Sequence, residues 1–262
     1  MTVVDGVPGA RLPDRTGAPG AAIEAATWRP LETAEVDGWV LGFARGFTRR
    51  ANSVLPLRAP ADAGAALESV EAAYARRGLP AVVRVDADAQ PASLDRLLAA
   101  RGYAAVATTR VMVGTPDLGE GVDVGCTVDV ADAPDDDWLA GWLDVKAAGR
   151  GVDTQLARAV VTGSPALYLT ARDGSGVVGV ARAGLSGEWM GLSCLMVAPR
   201  ARRRGVATAL SARAFAEAGA RTVPRVFLQV EASNTAAVSV YERLGLAIAD
   251  TYHYRELRGP AR

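Results

Sequence analysis

Histidine occurs once in this chain, at His253, and cysteine only twice, at Cys126 and Cys194. Two cysteines so far apart lack metal-ligand spacing, and one bridge between them would be no disulfide framework. A reducing cytoplasm is the simplest home for such a chain, and no metal is expected. Lysine is nearly absent: Lys146 stands alone and arginine supplies the other side-chain cations. That fits the codon bias of a GC-rich genome rather than a chemical need. Excess charge of either sign is also missing. Lys plus Arg and Asp plus Glu each number 29, so no global field draws the chain to nucleic acid or to a membrane surface. No apolar run approaches the roughly 20 residues that would span a bilayer. The stretch 1–22 has no apolar core behind basic residues, so it does not read as a secretory signal. Its glycine, proline and alanine read as a flexible leader.

What is present is a chain of 262 residues, 50% hydrophobic, enough for one large domain or two small ones with real cores. A polar, glycine-rich break at 115–122 separates two segments, 23–114 and 123–262. In the second, the alternation of 126–132 predicts a strand. Asp135, Asp136 and Asp137 then precede an apolar-periodic run to about Val145. Acids there suit a helix N-terminus better than a metal site. Further expectations are a short helix over 153–162, a hairpin about Asp173-Gly174, a central strand over 188–197 and a helix over 205–219. A strand over 225–230, a helix opened by Asn234 and one or two closing strands complete the order. The first segment repeats it: SVLP (53–56), a helix over 61–78, a strand over 81–85, a helix over 91–103 and a strand over 104–113. A shift of about 143 positions carries Val54-Leu55-Pro56 onto Val197-Ala198-Pro199 and Gly102 onto Gly245. Two α/β units of one lineage are therefore expected, packed sheet edge to sheet edge.

The chemistry concentrates in Val197–Leu210, VAPRARRRGVATAL. A helix beginning near Gly205 leaves its first backbone donors unpaired and, with its dipole, makes an anion site. Gly205 and Ala207 remove bulk, so a phosphate can approach the backbone. The arginines add charge and forked donors. A solvated basic loop before an ordinary helix is the plainer reading of the turn alone. Two linked motifs shift the balance. Arg202-Arg203-Arg204-Gly205-Val206-Ala207, after Val197-Ala198-Pro199, is followed by LQVEASN ending at Asn234, then by Tyr241 seven residues on and by LGL (244–246). In this order the three resemble the GCN5-related N-acetyltransferase (GNAT) family over roughly 123–262. The first segment resembles a degenerate copy, as in tandem members of that family such as mycothiol synthase. The resemblance implies a mixed α/β GNAT fold and an acyltransferase that moves an acetyl group from acetyl-CoA to a primary amine. It also implies a monomer or homodimer with no nucleic-acid or membrane partner.

Carried over residue by residue, the resemblance assigns backbone contacts with the pantetheine arm to Leu195, Met196 and Val197. It assigns the pyrophosphate to Arg202, Arg203, Arg204, Gly205, Val206, Ala207 and Thr208, and a side-chain contact with the cofactor arm to Asn234, which also suits a helix N-cap. Tyr241 is implied as the general acid; a phenol with a pKa near 10 can protonate a departing thiolate at neutral pH. Packing is the plainer role for it, yet the repeat places Leu98 at the equivalent position. No general base is evident. Gln229 and Gly191 occupy positions where relatives carry glutamate, and Glu188 and Glu231 match neither. His253 reads as packed or exposed. Cys194 reads as a core residue rather than an acyl carrier. The first segment carries Pro60 and Asp62 where cations would be wanted, so no acetyl-CoA is expected there. Arg49, Arg50 and Asn52 read either as a polar loop or as a grip on an anionic acceptor. A non-catalytic, acyl-CoA-sensing protein on the same fold stays open.

Overall fold

A computed structural model describes residues 17–116, 124–147 and 153–257, and the side chains of all of these except 145–147. Most of the leader, and most of the break at 115–122, lie outside the described residues. The chain runs α1 (Ala21–Ala26), β1 (Glu32–Val36), β2 (Trp39–Phe43), β3 (Val54–Pro56), α2 (Ala63–Ala75), β4 (Ala81–Val85), α3 (Leu94–Ala100) and β5 (Ala104–Gly114). It continues with β6 (Thr127–Ala131), α4 (Asp136–Ala147), α5 (Thr154–Val161), β7 (Ala166–Asp173), β8 (Gly176–Ser186) and β9 (Trp189–Val197). After a 3-10 turn at Pro199–Ala201 come α6 (Val206–Ala220), β10 (Arg225–Glu231), α7 (Thr235–Arg243) and β11 (Ala247–Leu257). The closing stretch is thus one strand. Periodicity does not reveal α1, which begins inside the stretch read as leader, nor β1 and β2.

Local chemistry explains several boundaries. Asp135 accepts a hydrogen bond from the Trp138 amide at 2.7 Å, which makes it a cap of α4. Asp153 caps α5 in the same way. The Asp62 carboxylate caps α2, accepting from the amides of Gly64 and Ala65.

The eleven strands among the described residues form one sheet, ordered β1-β2-β3-β4-β11-β5-β10-β9-β8-β7-β6. Chain order breaks at the centre. β11 lies antiparallel between β4 and β5, and β5 lies antiparallel between β11 and β10. Each half therefore lends its last strand to the other, which goes beyond the edge-to-edge packing expected of a repeat. The register carries the repeat's symmetry. Ala247 faces Val113 and Glu256 faces Ala104; the shift of about 143 exchanges these two pairs. Tyr252 faces Thr109, and the same shift maps each of them onto the other, so a local twofold axis passes between them.

The cores follow this plan. One apolar cluster lies among α6, α7 and β7–β10, with Leu210, Phe215 and Leu228 at its heart. A second holds Trp39, Leu67, Tyr74 and Leu98 in the first half. A third belongs to both halves: Trp28, Ala44 and Ala51 pack with Trp138, Trp142 and Val160. A polar clasp reinforces it. The fully buried Arg182 donates to the Thr27 carbonyl at 2.8 Å, and Ser164 Oγ donates to the same oxygen at 2.9 Å.

Residues 123–262 expressed alone would lack β5, leaving open the facing edges of β10 and β11. Expected are association and a lower melting temperature, read by analytical ultracentrifugation and a thermal melt. A soluble monomer as stable as the whole chain would contradict this.

Candidate active site

The site starts from a fault in the sheet. β9 and β10 run parallel, pairing from Trp189 and Arg225 as far as Leu192 and Leu228, and no further. The cause is a bulge on β9. Between the pairs Val180↔Met196 and Arg182↔Ser193, β9 carries one residue more than β8, and Cys194 adopts a left-handed φ of 53°. A bulge bends its strand. β10 meanwhile stays paired with β5 as far as Glu231 and Thr109. The strands splay, and a cavity of about 700 Å³ opens at the gap. Side chains alternate across it: Leu195 and Val197 pack toward the α6–α7 core, Cys194 and Met196 toward Trp28 and Trp142. The gap therefore joins the two faces of the sheet.

The start of α6 reaches this cavity through Ala207. Gly205 stands at its N-cap with φ 85° and gives no side-chain cap. A Cβ on Gly205 would come within 2.7 Å of Val124 Cγ1. Among the described residues, the amides of Val206, Ala207 and Thr208 meet no backbone or side-chain acceptor. The arginines before them are partly engaged. Arg202 Nε donates to the Val197 carbonyl at 3.3 Å, and Arg204 pairs with Asp173 at 3.1 Å. Arg203 has φ 65°. Of the residues assigned from the sequence, Leu195, Met196, Val197, Ala207, Asn234 and Tyr241 line the cavity. Arg202, Arg203, Arg204, Gly205, Val206 and Thr208 do not, and the Val206 side chain belongs to the core.

Asn234 caps α7, its Oδ1 accepting from the Ala237 amide at 3.2 Å. One helical face then buries both Val238 and Tyr241. Tyr241 packs in the core and still touches the cavity; burial pushes its phenol up to about 12. It is therefore protonated throughout the neutral range, as a proton donor must be.

The positions lacking a base are filled for other reasons. Gly191 has no room for a side chain: a Cβ there would lie 2.7 Å from Phe227 Cζ and 2.9 Å from Thr27 Oγ1. Gln229 lines the cavity, and its Nε2 donates to Glu24. Its Oε1 is buried and accepts no hydrogen bond among the described residues. Glu24, 1% exposed, is gripped in turn by both terminal nitrogens of Arg84, at 2.8 and 3.2 Å. Sequence reasoning missed this buried pair because Glu24 lies in a short alanine-rich helix with no periodic signal. Glu231 lines the cavity and Glu188 does not. His253 Nε2 lies 2.9 Å from Asp95 Oδ1, while its neighbours Tyr252 and Tyr254, on the opposite face of β11, line the cavity. Trp28, Thr48, Arg49 and Arg50 bring the first half into the same wall. Among the described residues, no three His, Cys, Asp or Glu side chains are grouped to hold a metal, and no helix is long and apolar enough to cross a membrane.

A family model described as "Probable histone acetyltransferase Rv0428c C-terminal" matches residues 20–255. The chain belongs to this family. The fold is that of the GNAT acyltransferases. A GCN5-related N-acetyltransferase from Kribbella flavida superposes with a TM-score of 0.69 over 93% of this chain and 97% of its own, at 16% identity. A tandem GNAT protein from the clavulanic acid biosynthesis pathway gives a TM-score of 0.59, covering 76% of this chain and 70% of its own at 16% identity. The curated protein "Acetyltransferase SG1711" of Sodalis glossinidius is 36% identical over 87 residues. That match covers 33% of this chain and 61% of the relative.

Gly191→Glu should not supply a base to this acetyltransferase-family site. Overpacking against Phe227 and Thr27 should cost about 1–3 kcal/mol or more, seen as a lower denaturation midpoint. A variant as stable as the parent would contradict that.

Proposed function

We propose that the chain transfers an acetyl group from acetyl-CoA to a primary amine by direct attack, in a reducing cytoplasm. The carrying observation is the cavity at the β9–β10 splay, which brings together the start of α6 at Ala207, strand backbone and the protonated Tyr241. Acetyl-CoA enters from the α6–α7 face. Its pyrophosphate meets the amides of the Arg203–Thr208 turn, helped by the arginines. Its pantetheine arm runs along Leu195–Val197, with Asn234 across the gap. A neutral amine attacks the thioester carbonyl, the C–N bond forms, the C–S bond breaks, and the thiolate takes the Tyr241 proton. With Gln229 unable to take a proton, water or the bulk solvent removes the one the amine gives up.

The binding site belongs to one unit of two, 123–262, with 23–114 as a degenerate partner. At the start of α2 the Asp62 carboxylate already occupies the anion position, where α6 has Gly205. One acetyl-CoA per chain is therefore expected by titration calorimetry, and Gly205→Glu should abolish it. Two equivalent sites would overturn the assignment. The acyl-CoA sensor draws its support from the missing carboxylate at Gln229 and Gly191. Turnover separates the two readings. Tyr241→Phe should lower kcat by about two to four orders of magnitude and leave acetyl-CoA affinity and the melt little changed. Near-normal turnover would reduce Tyr241 to a packing residue.

A further inference from the structure

The first half places two arginines on the acceptor side of the cavity. Thr48, Arg49 and Arg50 line the wall beside Trp28. The loop presenting them is fixed by one side chain. Asn52 Oδ1 accepts from the amides of Ala44 and Gly46 at 2.8 and 2.9 Å, and its Nδ2 donates to the carbonyls of Phe47 and Thr48 at 3.0 and 2.8 Å. All the hydrogen-bonding capacity of Asn52 goes into the loop. The arginines are thus held in place rather than left on a mobile tip, which lowers the entropic cost of gripping a ligand.

Their partners leave charge to spare. Arg49 has Glu256 at 3.8 Å, a loose contact. Arg50 has no carboxylate partner among the described residues; its guanidinium lies 5.2 Å from the centre of the Trp28 ring. A third cation, Arg182, also lies near this ring. Arg182 is fully buried, 5.3 Å from the ring centre, and its hydrogen-bond partners are the carbonyls of Thr27, Val161 and Ser164 and the Ser164 hydroxyl. No carboxylate pairs with it among the described residues. Burial holds its pKa below the ordinary guanidinium value, and the charge of Arg50 pushes the same way. Against these, Glu231 is the one carboxylate on the cavity wall among the described residues. Arg84, in the adjoining chamber of about 210 Å³, pairs with both Glu24 and Asp86, which leaves that cluster one charge negative, and Arg50 lines this chamber as well as the main cavity. Trp28, Trp142, Tyr252 and Tyr254 complete the wall with aromatic surface.

We infer that the acceptor is a small amine that also carries an anionic group, held by Arg49 and Arg50 against this aromatic wall. The inference rests on the acetyltransferase reading and narrows its acceptor. An arginine-rich protein tail, the acceptor class suggested by the family's description, would meet repulsion from the same side chains.

Matched pairs test this by equilibrium binding to the full chain at saturating CoA. Phenylalanine is compared with phenethylamine, and phosphoethanolamine with ethanolamine. The anionic member of at least one pair should bind at least tenfold tighter, and which pair responds tells carboxylate from phosphate. Arg49→Gln combined with Arg50→Gln should erase the difference. Arg45→Gln, whose side chain pairs with Asp153, should leave it intact, and melts confirm folding. No preference in either pair, including no binding, overturns the inference. So does a preference that survives the double substitution, or tighter binding of an arginine-flanked lysine peptide. Thiol release from acetyl-CoA is measured separately. Anionic amines that bind with this preference but are never acetylated would sink the transferase reading and leave the anion grip standing.

Discussion

The antiparallel pairing of β5 with β11 is the constraint on which the rest depends. Backbone hydrogen bonds need partners on both edges of a buried strand, and here each half finds the missing partner in the other. The same exchange shapes the site. β5 holds β10 straight to its end at Glu231, while the Cys194 bulge turns β9 away. β11 brings Tyr252 and Tyr254 to the wall. Without the exchanged strands the splay would lose its fixed side and the cavity the aromatic surface of Tyr252 and Tyr254.

Much of the second half was legible because its signals are local. Apolar alternation, the Asp135 and Asn234 caps and the linked RRRGVA, LQVEASN and Tyr241 motifs each report on a few neighbouring residues. The repeat was legible too, and its shift matches β5 to β11 from end to end. The exchange was not. A strand carries the same alternation whichever sheet it joins, so nothing in residues 104–114 states that they pair with β10. β1 and β2 escaped for a related reason: Trp39–Phe43 is buried nearly throughout and lacks alternation, and β1 is exposed along most of its length. In the site, the motif residues Leu195–Val197, Asn234 and Tyr241 line one cavity. Trp28, Trp142 and Glu24 carry no motif, and only the tertiary fold brings them in.

The two halves differ at positions that the repeat shift brings into register. At the helix start, Gly205 leaves donors open where Asp62 closes them with its own carboxylate. In the following strand, Phe227 packs on Trp189, whereas the equivalent Arg84 holds Glu24 in a buried ion pair. Burying two charges is costly unless their hydrogen bonds are complete. Here Arg84 binds Glu24 with two nitrogens and Asp86 with the third, and Glu24 reaches across to Gln229. The first half thus braces the cavity wall at Gln229.

The strand exchange has a consequence for the nascent chain. Val85 on β4 waits for His253, so more than half of the polypeptide must leave the ribosome before the inner edge of the first half is covered. Through that interval β4 lacks one of its two neighbours, β11, and an uncovered edge invites pairing with other chains. The shared sheet is therefore complete only when β11 stands between β4 and β5.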